Sequence, residues 1–243
     1  MAVSSLKFGD YFDSYRDYLL VITELEIGQP ELHQTYIDIP FRNGSLDFTD
    51  LYGASSYSDR IIKVKLQTSR IAELKTSEVY GMYDSIINEI YGVGIKTLEI
   101  DNIEGVFTGR CISVSPVTLF QYGGQMEVEF RCHPFRTSKD YIGCTDFWNE
   151  FYPFSQHVFS DCEHYHITGQ IDARLFNNSV IPIRPVIEVT NQSVTVTQGA
   201  SSHTYSVGIH DNTHIVLQPN VWNDLIIQSN GGSIHFKWKR VFI

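Results

Sequence analysis

The sequence predicts a mainly β protein of two domains, a β domain carrying one α-helix followed by an antiparallel β-sandwich. Tyrosine and phenylalanine are plentiful (14 and 15 residues), and flat rings pack well on pleated surfaces. Short segments that alternate apolar and polar residues, separated by turn residues, recur along the chain. One segment in the first half has a helical apolar period instead. The 243 residues suffice for two cores, since a domain above roughly 100 residues buries well over half of its unfolded surface.

In chain order, residues 7–12 and 19–27 read as strands, and residues 36–40 as another that ends at Pro40, which cannot donate to a ladder. Asn43-Gly44 is a tight-turn signal, because both residues tolerate positive φ. Residues 60–67 alternate, with Ile62, Val64 and Leu66 on one face and Lys63, Lys65 and Gln67 on the other. The helix is expected over 77–91. Ser77 is its candidate N-cap, Glu78 suits the positive first turn, and Gly92 can end it. Val79, Met82, Tyr83, Ile86, Ile87 and Ile90 form one apolar stripe that must lie on a sheet as core.

Strands are then expected over 96–100, 107–114 and 126–132, with turns at Gly109 and Gly123-Gly124. His133-Pro134-Phe135 breaks the pattern, which places the domain boundary between 1–136 and 137–243. Residues 136–160 are aromatic and irregular. Six further strands are expected over 186–190, 193–197, 203–209, 214–218, 224–228 and 233–238, with Gly231-Gly232 at a hairpin tip.

The net charge of −10 argues against nucleic acid as the main partner, since phosphate recognition needs clustered Lys and Arg. It argues equally against an anionic membrane face. The first 20 residues lack the apolar stretch of a signal peptide, so synthesis in a cytoplasm is expected. Cys111, Cys132, Cys144 and Cys162 form no CxxC pair and read as reduced, mostly buried residues.

Chemistry-bearing motifs are scarce. Gly92-Val93-Gly94 follows the helix rather than opening one, and no GxSxG or HExxH occurs. Asp38 and Asp47 bracket a turn, and Asp47 is placed to brace it by accepting from backbone N–H groups. A glycosidase would need two carboxylates facing one cleft. Cys162, His164 and His166 would share one face of a strand, with Cys144 upstream, and so could offer ligands to zinc; ordinary surface imidazoles are the simpler reading. Lys237, Lys239 and Arg240 beside Trp238 read as a solvated face. No catalytic residue, metal or cofactor is expected.

One stretch carries more. Residues 37–50 include Ile39-Pro40-Phe41-Arg42-Asn43-Gly44-Ser45-Leu46-Asp47 and are followed by Arg60 at the head of a strand. This resembles the signature of siphophage distal tail proteins, in which a strand ends in proline, a turn of the type G/R-D/N-G-S-L-D follows, and an arginine opens the next strand. Phe107-Thr108-Gly109-Arg110 is similar to the family's YTGR strand, and Phe130-Arg131-Cys132-His133-Pro134-Phe135 to the end of its first domain. Phe41 departs from the glycine of many members.

The resemblance implies a tail-tube-like β domain over 1–136 and a galectin-like β-sandwich over 137–243. It implies a homo-hexamer whose first domains close around a DNA channel, with Ile39, Pro40, Arg42, Asn43, Gly44, Ser45, Leu46, Asp47 and Arg60 helping to build the ring. The implied partners are the tail tube protein, the tail-tip or baseplate hub protein and a receptor-binding protein, in the virion tail tip. DNA would pass without specific binding, and no membrane contact is implied. Two other readings are a carbohydrate-binding module presenting Trp222, Trp238 or Tyr205 to a sugar, and a tail-associated hydrolase, against which the missing motifs count.

Overall fold

The computed structural model describes residues 4–49, 56–68, 76–120, 123–141 and 164–243. The described residues are mainly strand, with two helices and antiparallel sheets, so the mainly β, antiparallel reading holds. The chain divides into two compact units, Met1–Arg136 with Ile243, and Thr137–Phe242.

The first unit opens with β1 (Leu6–Phe8), β2 (Phe12–Asp13), the short helix α1 (Ser14–Tyr18) and β3 (Leu20–Ile27). The single strand expected over 7–12 is broken because Gly9 takes a positive φ of 65° and turns the chain. Asp13 then caps α1 by accepting from the Tyr15 and Arg16 N–H groups, and Leu19 closes it in the left-handed conformation. After these come β4 (Tyr36–Asp38), β5 (Ser45–Asp47), β6 (Arg60–Thr68), the long helix α2 (Thr76–Ile90), β7 (Lys96–Ile100), β8 (Phe107–Val114), β9 (Thr118–Phe120) and β10 (Gly123–Cys132).

An eight-stranded sheet runs in the order β2-β1-β7-β8-β10-β6-β3, with β9 also on β10. It curls, because the Ile22 N–H of edge strand β3 donates to Ser4 O just ahead of β1 (3.1 Å). Helix α2 lies on one face. Val79, Tyr83, Ile86 and Ile90 are fully buried against Ile62, Val64, Leu66, Met126, Val128 and Phe130. The helix starts at Thr76, so Ser77 falls inside its first turn rather than ahead of it. Tyr83 anchors the helix by donating to Gly124 O (2.6 Å). Gly109 sits where the β10 backbone passes closest. A Cβ there would meet Arg131 O and would lie 2.6 Å from Cys132 Sγ. The glycine of the Phe107–Arg110 motif is thus set by strand contact, not by a turn.

In the second unit β12 (His164–Phe176), β13 (Val186–Thr190), β14 (Val194–Gln198), β15 (Ser201–Tyr205), β16 (Gly208–His210) and β17 (Trp222–Lys237) form one six-stranded antiparallel sheet. Short strands β11 (Arg136–Thr137) and β18 (Val241–Phe242) pair with each other. The sixteen-residue β17 organises this unit: β12 pairs along its length, β14 pairs with its first half and β13 with its second. Ile187, Val189, Val194, Val196, Ile227, Ile234, Phe236 and Trp238 fill one core.

Several expectations for this unit are corrected. Gly231-Gly232 is not a hairpin tip but a bulge within β17, where Gly231 takes a φ of 134° and the buried positions change from odd to even numbers. The strands expected over 224–228 and 233–238 are therefore one. The strand expected over 203–209 breaks between β15 and β16, and residues 214–218 contribute only the bridge of Leu217 to Ile183. The long β12, absent from the predicted strands, spans residues whose alternation is interrupted by Gly169. Residues 142–163, most of the irregular aromatic stretch, lie outside the described residues.

Candidate functional site

The segment singled out in the sequence folds into an arm. β4 and β5 pair only with each other, Tyr36 opposite Asp47 and Asp38 opposite Ser45. The arm is pinned at its base. His33 N–H donates to Ser56 O (2.8 Å), Ser58 N–H donates to Glu31 O (2.8 Å), and Leu32 bridges to Tyr57. Among the described residues the arm has no further hydrogen-bonded support beyond that base: residues 31–45 are all exposed, among them Tyr36 (54%), Ile37 (49%), Ile39 (41%) and Phe41 (111%).

Its tip is a turn of unusual composition. Arg42 N–H donates to Ile39 O (3.1 Å), and the positive φ values fall on Phe41 (64°) and Gly44 (81°) rather than on Asn43. A non-glycine residue in this region costs about 1–2 kcal/mol, and Phe41 recovers none of it by packing within the chain. Asp47 does brace the arm: its carboxylate accepts from Thr49 N–H (2.8 Å), and these Thr49 hydrogen bonds hold its pKa below the usual carboxylate value.

Of the residues assigned to ring assembly, Ile39, Pro40, Arg42, Asn43, Gly44, Ser45, Leu46 and Asp47 lie on the arm. Arg60 is not at its tip. It is buried at the start of β6, where its guanidinium donates to Pro134 O and lies over the Phe107 ring, 5.4 Å from the centroid. Burial, followed by the nearby Arg136 charge, pushes its pKa down.

The sheet face away from α2 carries charge in rows. Glu24, Lys65 and Glu127 align across β3, β6 and β10, and so do Glu26, Lys63 and Glu129. Lys65 reaches Glu24 at 3.1 Å and Lys63 reaches Glu129 at 3.6 Å. Each row has two carboxylates and one ammonium and is net negative by one charge, while the same face carries Arg131 opposite Arg110 farther along β10.

The other candidates separate. His166 Nδ1 is within hydrogen-bond distance of Ser233 Oγ (3.0 Å), and the His164 ring stands 5.7 Å from that of His235. Cys144 and Cys162, and with them the full zinc set, lie outside the described residues. Among the described residues no cluster of three or more His, Cys, Asp or Glu is placed to hold a metal. Cys111 and Cys132 are buried, which pushes their thiols up to about 11 and about 12. Asp38 and Asp47 are exposed on the arm rather than facing a cleft.

Trp238 (1% exposed) and Tyr205 (6%) are core residues, and Tyr205 Oη accepts from His214 N–H (3.2 Å). Trp222 is the one of the three aromatics open to solvent (42%); it packs edge-on against Phe176 with Arg174 over its ring. Among the described residues no helix is long and apolar enough to cross a membrane.

No family model and no curated protein matches the chain. Solved structures do. SPP1 Dit (gp 19.1), a paradigm of the hub adsorption apparatus in Gram-positive infecting phages, aligns over 99% of this chain and 100% of its own, with a TM-score of 0.64 and 10% identity. Chains of the phage P2 baseplate in its activated conformation, with Ca and with Sr, align over 97% and 98% of this chain and 98% of their own. Their identities are 10% and 12% and their TM-scores 0.41 and 0.40, below the level that establishes a common fold. The chain therefore shares the fold of SPP1 Dit along its whole length, at an identity where only the fold is conserved.

Proposed function

We propose that the chain is a structural hub of a phage tail tip, a non-enzymatic distal tail protein whose first units, residues 1–136, close into a hexameric ring. The ring stacks between the tail tube protein and the tail-tip or baseplate hub protein. The second units, residues 137–243, form galectin-like domains that serve neighbouring components such as a receptor-binding protein. The protein is made in the host bacterial cytoplasm and carried in the virion.

The observation that carries the reading is the arm. A two-stranded hairpin with four exposed apolar side chains is not stable alone in water, and a second copy of the chain is the surface that a closed ring supplies. The edge of β3, exposed from Thr23 to Glu26, offers a ladder that a ring neighbour would also cover. The full-length likeness to SPP1 Dit supports the same reading, because both units take part in it. The net-negative rows on the helix-free face suit a channel wall that DNA passes without sticking.

Light scattering after size exclusion, over a range of concentrations, tests the ring. A species near six times the 27.8 kDa chain is expected. A chain that stays monomeric at high concentration, and that is not driven into a ring by purified tail tube protein, would refute it.

A further inference from the structure

We propose that the second unit binds a neutral glycan in a polar cleft built where β12, β14 and β17 meet. This is independent of the ring, since it concerns one chain alone. The cleft has a volume of about 440 Å³ and is lined by Gln170, Gln192, Thr195, Gln228, Ser229 and Asn230, with no charged residue in its lining.

It lies beside the bulge at Gly231. Up to that point β17 carries β14 on its edge, beyond it β13, and the cleft sits at the fork. The lining is partly fixed by its own bonds. Gln228 Nε2 donates to Gln170 Oε1 (2.7 Å), and Ser229 Oγ donates to Ser193 O (2.9 Å) while accepting from Gly232 N–H (2.9 Å). Thr195, which pairs with Gln228 in register, shares a hydrogen bond with Thr204 Oγ1 (2.8 Å). These bonds leave the Gln170 amide NH₂ and Gln228 Oε1 without a partner among the described residues. The side chains of Gln192 and Asn230 make no bond among the described residues. Four carboxamides on one small area present donors and acceptors side by side, the pattern that vicinal hydroxyls, each donor and acceptor at once, can satisfy.

The rest of the sheet face extends the site. Gln228, Ile226, Asp224 and Trp222 project to one side of β17, and Gln170, Asp172, Arg174 and Phe176 oppose them on β12. Arg174 and Asp224 neutralise each other (2.7 Å). The strip ends on the exposed Trp222 ring, six residues or roughly 20 Å from Gln228. An amide cleft leading to an aromatic plate fits a chain with polar edges and apolar ring faces. Phosphorylated or sulfated ligands lack the cations they would need. An extended peptide would seek a free strand edge or apolar pockets, and this site offers side chains on a sheet face.

The test applies the full chain to an array of neutral oligomers of glucose, galactose, rhamnose and N-acetylglucosamine, with sulfated oligomers alongside. Retention of at least one neutral class is expected. Gln228→Leu and Gln192→Ala, both surface changes, should each weaken it at least tenfold with thermal melting unchanged, whereas Phe41→Ser should leave it intact. No retention of any neutral oligomer, retention of sulfated oligomers only, or retention indifferent to both cleft variants would overturn the proposal. So would a tail protein whose binding is lost in Gln228→Leu when no glycan is retained, because the cleft would then belong to a protein partner.

Discussion

Replacing Phe41 separates what the arm contributes to folding from what it contributes to assembly. In the single chain Phe41 is fully exposed and touches no core residue, so Phe41→Ser should leave the melting temperature of the monomer unchanged. In the proposed ring the same side chain would be covered by the neighbour. Fully burying a phenylalanine side chain is worth about 1.5–3 kcal/mol, which is roughly a ten- to hundredfold weaker association constant per interface when it is removed. Phe41→Gly should weaken assembly as much, yet raise the stability of the monomer by about 0.5–1 kcal/mol. Relief of the positive φ outweighs the added freedom of the unfolded chain. Light scattering against concentration reads assembly, and urea unfolding of the dilute monomer reads folding. A Phe41→Ser protein that assembles at wild-type concentrations would remove the arm from the interface. One that unfolds at lower urea would show that Phe41 packs within its own chain.

Tyr83→Phe should cost about 0.5–1.5 kcal/mol in urea unfolding, the net value of one buried hydrogen bond, because Gly124 O loses the shorter of its two side-chain bonds and retains that from Thr68 Oγ1 (3.2 Å). Gly109→Ala should cost about 1–3 kcal/mol or prevent folding, since its Cβ would overlap the β10 backbone; a wild-type denaturation midpoint would contradict the strand-contact account. Cys111 and Cys132, with thiols raised by burial, should escape alkylation at pH 8 in the native protein and react in urea, as peptide mass spectrometry can show. His235 has a depressed pKa, chiefly from burial and then from Lys237 and His164, so the folded state holds it neutral. Its stabilising contribution is present above the ordinary imidazole value of 6.5 and is lost as pH falls from there through the depressed folded pKa. The melting temperature should therefore fall less between pH 7 and 5 in His235→Asn than in the parent.

Where one physical effect dominated, the sequence was readable. β13 alternates between solvent and core along its length, β7 and β8 over most of theirs, and the strands predicted for them end where the structure ends them. Helix α2 was legible because its stripe has no other way to be buried. Bulges were not legible. Gly231-Gly232 has the composition of a hairpin tip, and only the long-range pairing of β12 across it makes it a bend inside a strand. Trp238 and Trp222 share a residue type, but Trp238 falls on the core-facing side of its segment and Trp222 on the outward side of β17, a distinction that depends on register. The cleft amides carried no motif at all, since Gln170, Gln192 and Gln228 come together only through the pairing of strands far apart in sequence.

The arm explains why its own segment was recognisable without a core to shape it. Residues 36–40 read as a strand ending at Pro40, although no core of this chain selects for their apolar side chains. What remains visible is the turn chemistry: Pro40 ending one strand, Gly44 at positive φ, and Asp47 tied to Thr49. Those features fix the shape of the arm, whereas Tyr36, Ile37, Ile39 and Phe41 are left for a surface outside the chain. A phenylalanine held in a backbone conformation that favours glycine, in full contact with water, is costly twice over in the isolated molecule. Both costs are offset only if the side chain is buried elsewhere, and in the proposed ring that place would be the neighbouring copy.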